Sequence, residues 1–157
     1  MSSVFSSVRL TDAVEATLNA GFAAQALAAN RPADPVGVVN APQNVTDAAG
    51  RPTRLYYVLF PIAGASGESS TRDPYELVTV EFQLRAVALN RKQAEWASEQ
   101  ARIVMVGRTT SGGFAFPMTP QGSGFVVDRS VALFGGVTSD APGTFEVNDS
   151  FYVTASS

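Results

Sequence analysis

Glu76-Leu77-Val78-Thr79-Val80-Glu81-Phe82-Gln83-Leu84-Arg85-Ala86-Val87-Ala88-Leu89 is the stretch whose reading decides the fold. Val78, Val80, Phe82, Leu84, Ala86 and Ala88 fall on one face, with Thr79, Glu81, Gln83 and Arg85 opposite. That period of two marks a strand with one buried and one wet side. Upstream, Arg54-Leu55-Tyr56-Tyr57-Val58-Leu59-Phe60 is dense in aromatic and aliphatic residues and is closed by Pro61, so it reads as a second, buried strand over about 54–61. The two predict a long antiparallel hairpin. Between them, Ile62 to Tyr75 contains Gly64-Ala65-Ser66-Gly67-Glu68-Ser69-Ser70-Thr71-Arg72-Asp73-Pro74, which cannot bury apolar surface. It exceeds the usual connection of about 4–6 residues, which makes it a contact or lid candidate.

Helical spacings flank this pair. Leu10, Val14, Leu18 and Phe22 recur every four residues, and Asp12 with Glu15 forms a capping-box pattern. They predict a helix over about 10–28, stopped by Arg31-Pro32-Ala33-Asp34-Pro35. Asn90 is an N-cap with Gln93 at the third position, and Ala94, Ala97, Ala101 and Val104 mark one face of a helix over about 90–106. Gly107 is its expected stop, and Ile103 and Met105 widen its apolar side. Residues 30–53 hold four prolines and two glycines, with Val36-Gly37-Val38-Val39 as an extended piece between breakers. In the last third, glycines separate Phe114-Ala115-Phe116, Phe125-Val126-Val127, Val131-Ala132-Leu133-Phe134 and Phe151-Tyr152-Val153-Thr154, all expected to be short strands. The domain expectation is a single unit over 1–157 with a β-rich last third.

Composition narrows the chemistry. The 157 residues contain no Cys and no His, which removes thiol nucleophiles, disulfides, zinc-finger spacings and imidazole acids or bases. Fourteen acidic residues stand against eleven basic ones, net −3, and the cations are scattered rather than clustered, which argues against a nucleic-acid-wrapping surface. Lys92 is the only lysine. The first seven residues lack a basic and an apolar region of a secretory signal, and no window approaches the roughly 20 apolar residues of a spanning helix, so a soluble, cytoplasmically made chain is expected.

Candidate constellations are few. Asp73 and Glu76 are a carboxylate pair, but Asp73-Pro74 is turn chemistry and Glu76 opens a strand. Gly64-Ala65-Ser66-Gly67 lacks the Gly-Lys-Ser/Thr of a phosphate loop, and Gly122-Ser123-Gly124 reads as a hairpin turn. Trp96, flanked by Glu95 and Glu99, is either an exposed interaction anchor or a half-buried core contact. Phe114 and Phe116 read as strand packing.

The block from Arg54 to Gly107 resembles the tail terminator proteins of long-tailed, non-contractile phages of actinobacteria. The resemblance rests on the strand ending Tyr57-Val58-Leu59-Phe60-Pro61, the Gly/Ser loop, the alternating strand to Leu89 and the helix opening Arg91-Lys92-Gln93-Ala94-Glu95-Trp96. Segment 30–53 and the Gly-rich last third depart from the compact family core. The resemblance implies an α+β fold, a mostly antiparallel sheet with two main helices packed on one side. It implies a homo-hexameric ring in the virion neck that sits on the tail tube protein, stops tube growth and offers a surface to the head-to-tail connector. It implies no enzymatic activity and no cofactor, with DNA passing through the lumen without specific binding. Another neck or tail completion protein, or the tube protein itself, is the same-class alternative. A small ligand- or carbohydrate-binding domain is the alternative from another class.

The expected interface residues are Arg72, Asp73 and Tyr75 of the long loop and Trp96 and Arg102 of the second helix. A loop that cannot pack on itself is costly to order unless a partner orders it. An Arg72→Glu chain should therefore fold normally yet assemble poorly, and an unchanged infectious titre would strike Arg72 from the set.

Overall fold

The computed structural model of the protein describes residues 7–24, 35–42, 45–62, 77–119 and 125–156. In chain order these form α1 (Ser7–Ala24), β1 (Val36–Val38), β2 (Tyr56–Ile62), β3 (Leu77–Ala88), α2 (Arg91–Val106), β4 (Phe125–Leu133), β5 (Val137–Ala141) and β6 (Thr144–Ser156). The strands make one sheet ordered β1-β2-β3-β6-β4, with β5 also beside β6. Only β1 and β2 run parallel; the other neighbours are antiparallel. The class is α+β, as the resemblance implies, and the alternating and helical spacings account for its main elements.

β3 organises the sheet because both its edges are paired. Tyr56 to Ile62 of β2 lie opposite Val87 to Glu81, and Leu77 to Ala88 lie opposite Ser156 to Phe145 of β6. Partners directly opposite share a face. Tyr57 with Ala86, Leu59 with Leu84, Phe82 with Phe151 and Val80 with Val153 therefore line one side, and all are buried. Both helices cover that side: Leu10, Val14, Leu18 and Phe22 of α1 and Ala97, Ala101, Val104 and Met105 of α2 join the same core. Each large apolar side chain enclosed there contributes about 1.5–3 kcal/mol. The helices touch where α1 is smallest. A Cβ at Gly21 would stand 2.5 Å from Val104 Cγ1, so only glycine permits this approach. Tyr57 ties the sheet to both helices, since its ring stacks on Phe22 at 4.4 Å and its hydroxyl donates to the Ala97 carbonyl at 2.9 Å.

The opposite face divides in two. Beside β2, the β1–β2 connection crosses behind the sheet, and Val45 packs with Tyr56, Val58 and Val87 in a second cluster. Its turn is pinned by Asp47, which accepts from the Arg51 and Ala49 backbone N–H groups at 2.9 and 3.0 Å; those contacts hold its carboxyl below the usual carboxylate range. Burial in the cluster pushes the Tyr56 hydroxyl above its ordinary value. Behind β3 and β6 the face is polar: Arg85 Nε donates to Asn148 Oδ1 at 3.1 Å and lies 3.6 Å from Glu146, and Thr79 hydrogen-bonds Thr154.

Several sequence expectations shift. Asp12 and Glu15 do not begin α1, which starts at Ser7; burial of Leu10 in the core draws the helix upstream of that local signal. The Asn90 cap holds, its side chain accepting from the Gln93 N–H at 2.9 Å. Phe114-Ala115-Phe116 is no strand: only an isolated bridge joins Arg108 to Phe114, and Phe114 turns toward arginines instead of a neighbouring strand. Phe125–Val127 and Val131–Leu133 are parts of the single strand β4, which accommodates two register shifts against β6. Polar β5 was not anticipated. Gly122-Ser123-Gly124 and Gly64–Gly67 lie outside the described residues. Among the described residues no helix is long and apolar enough to cross a membrane.

One backbone position is strained. Val39 follows β1 with φ of 66°, left-handed for a β-branched residue. Two hydrogen bonds hold it there, Val39 N–H to the Leu59 carbonyl at 2.9 Å and Asn40 N–H to the Val38 carbonyl at 2.7 Å, the second closing a three-residue turn. The side chain is exposed, so it gains little burial in return. Val39→Gly should stabilise the chain by about 1 kcal/mol in urea unfolding, the relief of strain exceeding the greater flexibility of an unfolded glycine.

Candidate interface site

Both candidate residues of α2 sit on its outer half, but they do not act together. Ala94, Ala97, Ser98, Ala101, Val104 and Met105 face the sheet, which turns Trp96 outward at 38% exposure. Six residues separate Trp96 from Arg102, so they point about 120° apart around the helix. Trp96 instead aligns with Ile103, two turns on. Ile103 was expected on the apolar, inward side with Met105; Met105 is buried there, whereas Ile103 is exposed. Trp96 and Ile103 thus form an outward apolar stripe bordered on one side by the exposed Glu95 and Glu99.

Arg102 belongs to a different constellation, built where β6 changes partner. β4 pairs with β6 as far as Leu133 opposite Ser150, and β5 resumes with Val137 opposite Val147. Between them the chain passes through Phe134-Gly135-Gly136. A Cβ at Gly135 would lie 1.9 Å from the Asn148 carbonyl oxygen, so a bare backbone is required. Asp149 closes the gap. Its alternation phase puts it on the helix side, where it is buried and accepts from the Gly135 N–H at 3.0 Å, from Arg102 Nη2 at 3.1 Å and from the Ser98 hydroxyl. Three donors around one carboxylate offset the cost of burying its charge.

Arg102, steered by Asp149, lies over the Phe134 ring with its guanidinium carbon 4.0 Å from the centroid. Phe134 is 57% exposed and Leu133 beside it 61%. Arg102, Leu133 and Phe134 therefore present an aromatic, aliphatic and cationic surface of the composition that recurs at protein–protein contacts. Arg72, Asp73 and Tyr75 lie outside the described residues. Among the described residues no group of three His, Cys, Asp or Glu side chains is placed to hold a metal ion.

The sequence reading selects Trp96 and Arg102 but not Ile103, Leu133, Phe134 and Asp149, which the structure sets beside them. Two signals were present. Val131-Ala132-Leu133-Phe134 carries apolar residues right up to a Gly-Gly break, where a strand end exposes them. In Phe145-Glu146-Val147-Asn148-Asp149-Ser150-Phe151 the apolar phase of period two runs through 145, 147 and 151, and Asp149 occupies it. A carboxylate in a core phase requires partners.

No family model and no curated protein matches this chain. Eight chains of solved structures do. One of them, whose designation carries no functional term, is similar over 96% of this chain and 96% of its own, with 18% identity and a TM-score of 0.50. A likeness at that identity shows the fold alone.

Asp149→Ala removes the shared acceptor and should cost about 3 kcal/mol, the low end for breaking a buried pair because Arg102 keeps partial access to water. Ser98→Ala should cost about 1.5–3 kcal/mol, and the double variant less than the sum. Urea unfolding of the three variants checks both.

Proposed function

We propose that this chain is a tail terminator of a long-tailed, non-contractile actinobacteriophage, a structural protein that caps the tail tube as a hexameric ring. The observation that carries the reading is the motif Arg91-Lys92-Gln93-Ala94-Glu95-Trp96. It resembles the helix opening of that family, and here it opens α2 over the sheet with its tryptophan facing outward. Support comes also from an α+β sheet covered by helices on one side. The exposed Trp96, Ile103, Leu133 and Phe134 supply apolar surface for neighbouring subunits.

In this reading the ring works by occupation. Closed cyclic contacts use up the lateral surfaces of each subunit, one annular face covers the terminal tube ring, and the other face carries no template for a further tube subunit. Growth stops, and the free face receives the head-to-tail connector. An acidic chain whose cations are scattered along the sequence suits a lumen along which DNA slides, because tight binding of a duplex backbone needs many cations on one surface, more than a single arginine pair.

The deciding experiment is electron microscopy of particles from a phage in which this gene is disrupted. Overlong headless tails beside filled tailless heads support the terminator. Normal tails on filled heads refute it, and a copy number of hundreds per virion would move the protein to the tube. A complementing Trp96→Ala copy should yield folded protein yet restore few joined particles, since loss of an aromatic anchor costs about 2 kcal/mol or more per contact.

A further inference from the structure

The connection from α2 to β4 builds a second arginine cluster, on separate residues from the Arg102 constellation. Residues 107–115 fold back on themselves: Ala115 N–H donates to the Gly107 carbonyl at 2.8 Å, Thr109 N–H to Gly113 at 2.7 Å and Gly112 N–H to Thr109 at 2.9 Å. This loop carries Arg108 and Phe114 as bridge partners and brings the Phe114 ring to the Arg129 side chain of β4. Two guanidinium groups lie over that ring, Arg108 at 4.2 Å and Arg129 at 4.0 Å from its centroid. Their carbons are thus no farther apart than the sum of those distances.

The two arginines are provided for differently. Arg108 is half exposed, donates to the Gly112 carbonyl at 2.8 Å and lies 3.7 Å from Asp128. Arg129 sits opposite Val153, on the helix side of β4, and is only 3% exposed. Its Nη2 donates to the Phe116 carbonyl at 2.7 Å, while Nε and Nη1 are buried without a hydrogen-bond partner. No ion pair joins it to a carboxylate among the described residues. Burial, and then the nearby Arg108 charge, pull its guanidinium below the ordinary arginine value, with Asp128 opposing. Arginine stays protonated at working pH, so an intact positive charge remains enclosed with donors unused and a like charge beside it. The π face of Phe114 and one carbonyl answer only part of that demand.

What fits is a compact negative group with several acceptor lone pairs. We propose that Arg108 and Arg129 form an oxyanion-binding site, covered by Phe114, that takes a phosphate or carboxylate group. The ligand displaces the Phe114 ring, accepts from the idle Arg129 donors and relieves the repulsion between the two guanidinium groups. The same chemistry has two sources, free oxyanion in solution or an acidic side chain of a second copy of this chain. The site requires nothing of the ring reading and stands if that reading fails.

The test is NMR of the arginine Nε–Hε groups in the intact chain, which needs no variant to fold. Inorganic phosphate is titrated against chloride at matched ionic strength, and protein concentration is varied separately while mass is followed by sedimentation. A saturable shift of the Arg129 Nε–H with phosphate identifies the free-oxyanion source. A shift that tracks self-association, without phosphate, identifies the second copy. In either case Arg108→Gln, at a half-exposed position that tolerates replacement, should weaken the response about tenfold, the loss of one charge-assisted contact. An Arg129 resonance indifferent to both titrations, or an Arg108→Gln chain responding like the original, overturns the proposal.

Discussion

The acceptor capacity of one buried carboxylate holds the sheet and helix α2 in register. β6 must exchange β4 for β5 partway along its edge, and the exchange leaves a backbone N–H at Gly135 that no strand partner receives. Asp149 takes it, and the same carboxylate fastens α2 through Ser98 and Arg102. Remove that acceptor and three separate elements lose their common point: the outer pair of strands, the core face of β6 and the helix above it. A break in a sheet ladder is tolerable only where every orphaned polar group finds another partner.

Arginine chemistry recurs through the molecule in one form. Arg85 lies over Phe60, Arg102 over Phe134, and Arg108 and Arg129 both over Phe114. A planar, weakly hydrated cation stacks on a ring in a way an ammonium group does not. Four of the ten arginines are thereby held in cation–aromatic pairs, which the single lysine does not form among the described residues.

Where local pattern and tertiary packing agree, the fold was legible. β3 announced itself by alternation, β2 by its aromatic density and α2 by Asn90 and Gln93, because each signal is carried by neighbours in sequence. The failures came where distant contacts decide. The start of α1 follows the burial of Leu10, not the capping pattern at Asp12. Phe114 looked like strand packing because nothing nearby reveals that Arg129 will come under its ring. Three of the five residues of β5 are polar, and it is pairing with the edge of β6 that makes it a strand. The candidate site shows the same division: Trp96 was visible as a lone tryptophan between acids, whereas the role of Arg102 depends on Asp149, remote in sequence, and on an apolar pair at the end of β4.

The order of strands in the sheet differs from their order in the chain, and this bears on how the molecule is made. β6, which follows every other element, lies between β3 and the β4–β5 pair. A nascent chain that has emerged only as far as residue 143 holds β2–β3 with an unpaired, alternating apolar edge and no central strand to close it. Pairing β3 with β6 then joins residues as distant as Leu77 and Ser156, a high-contact-order step that favours slow closure. During that interval the β3 edge is open to strands of other chains, so the species most exposed to mispairing in synthesis is the one in which β3 has emerged and β6 has not.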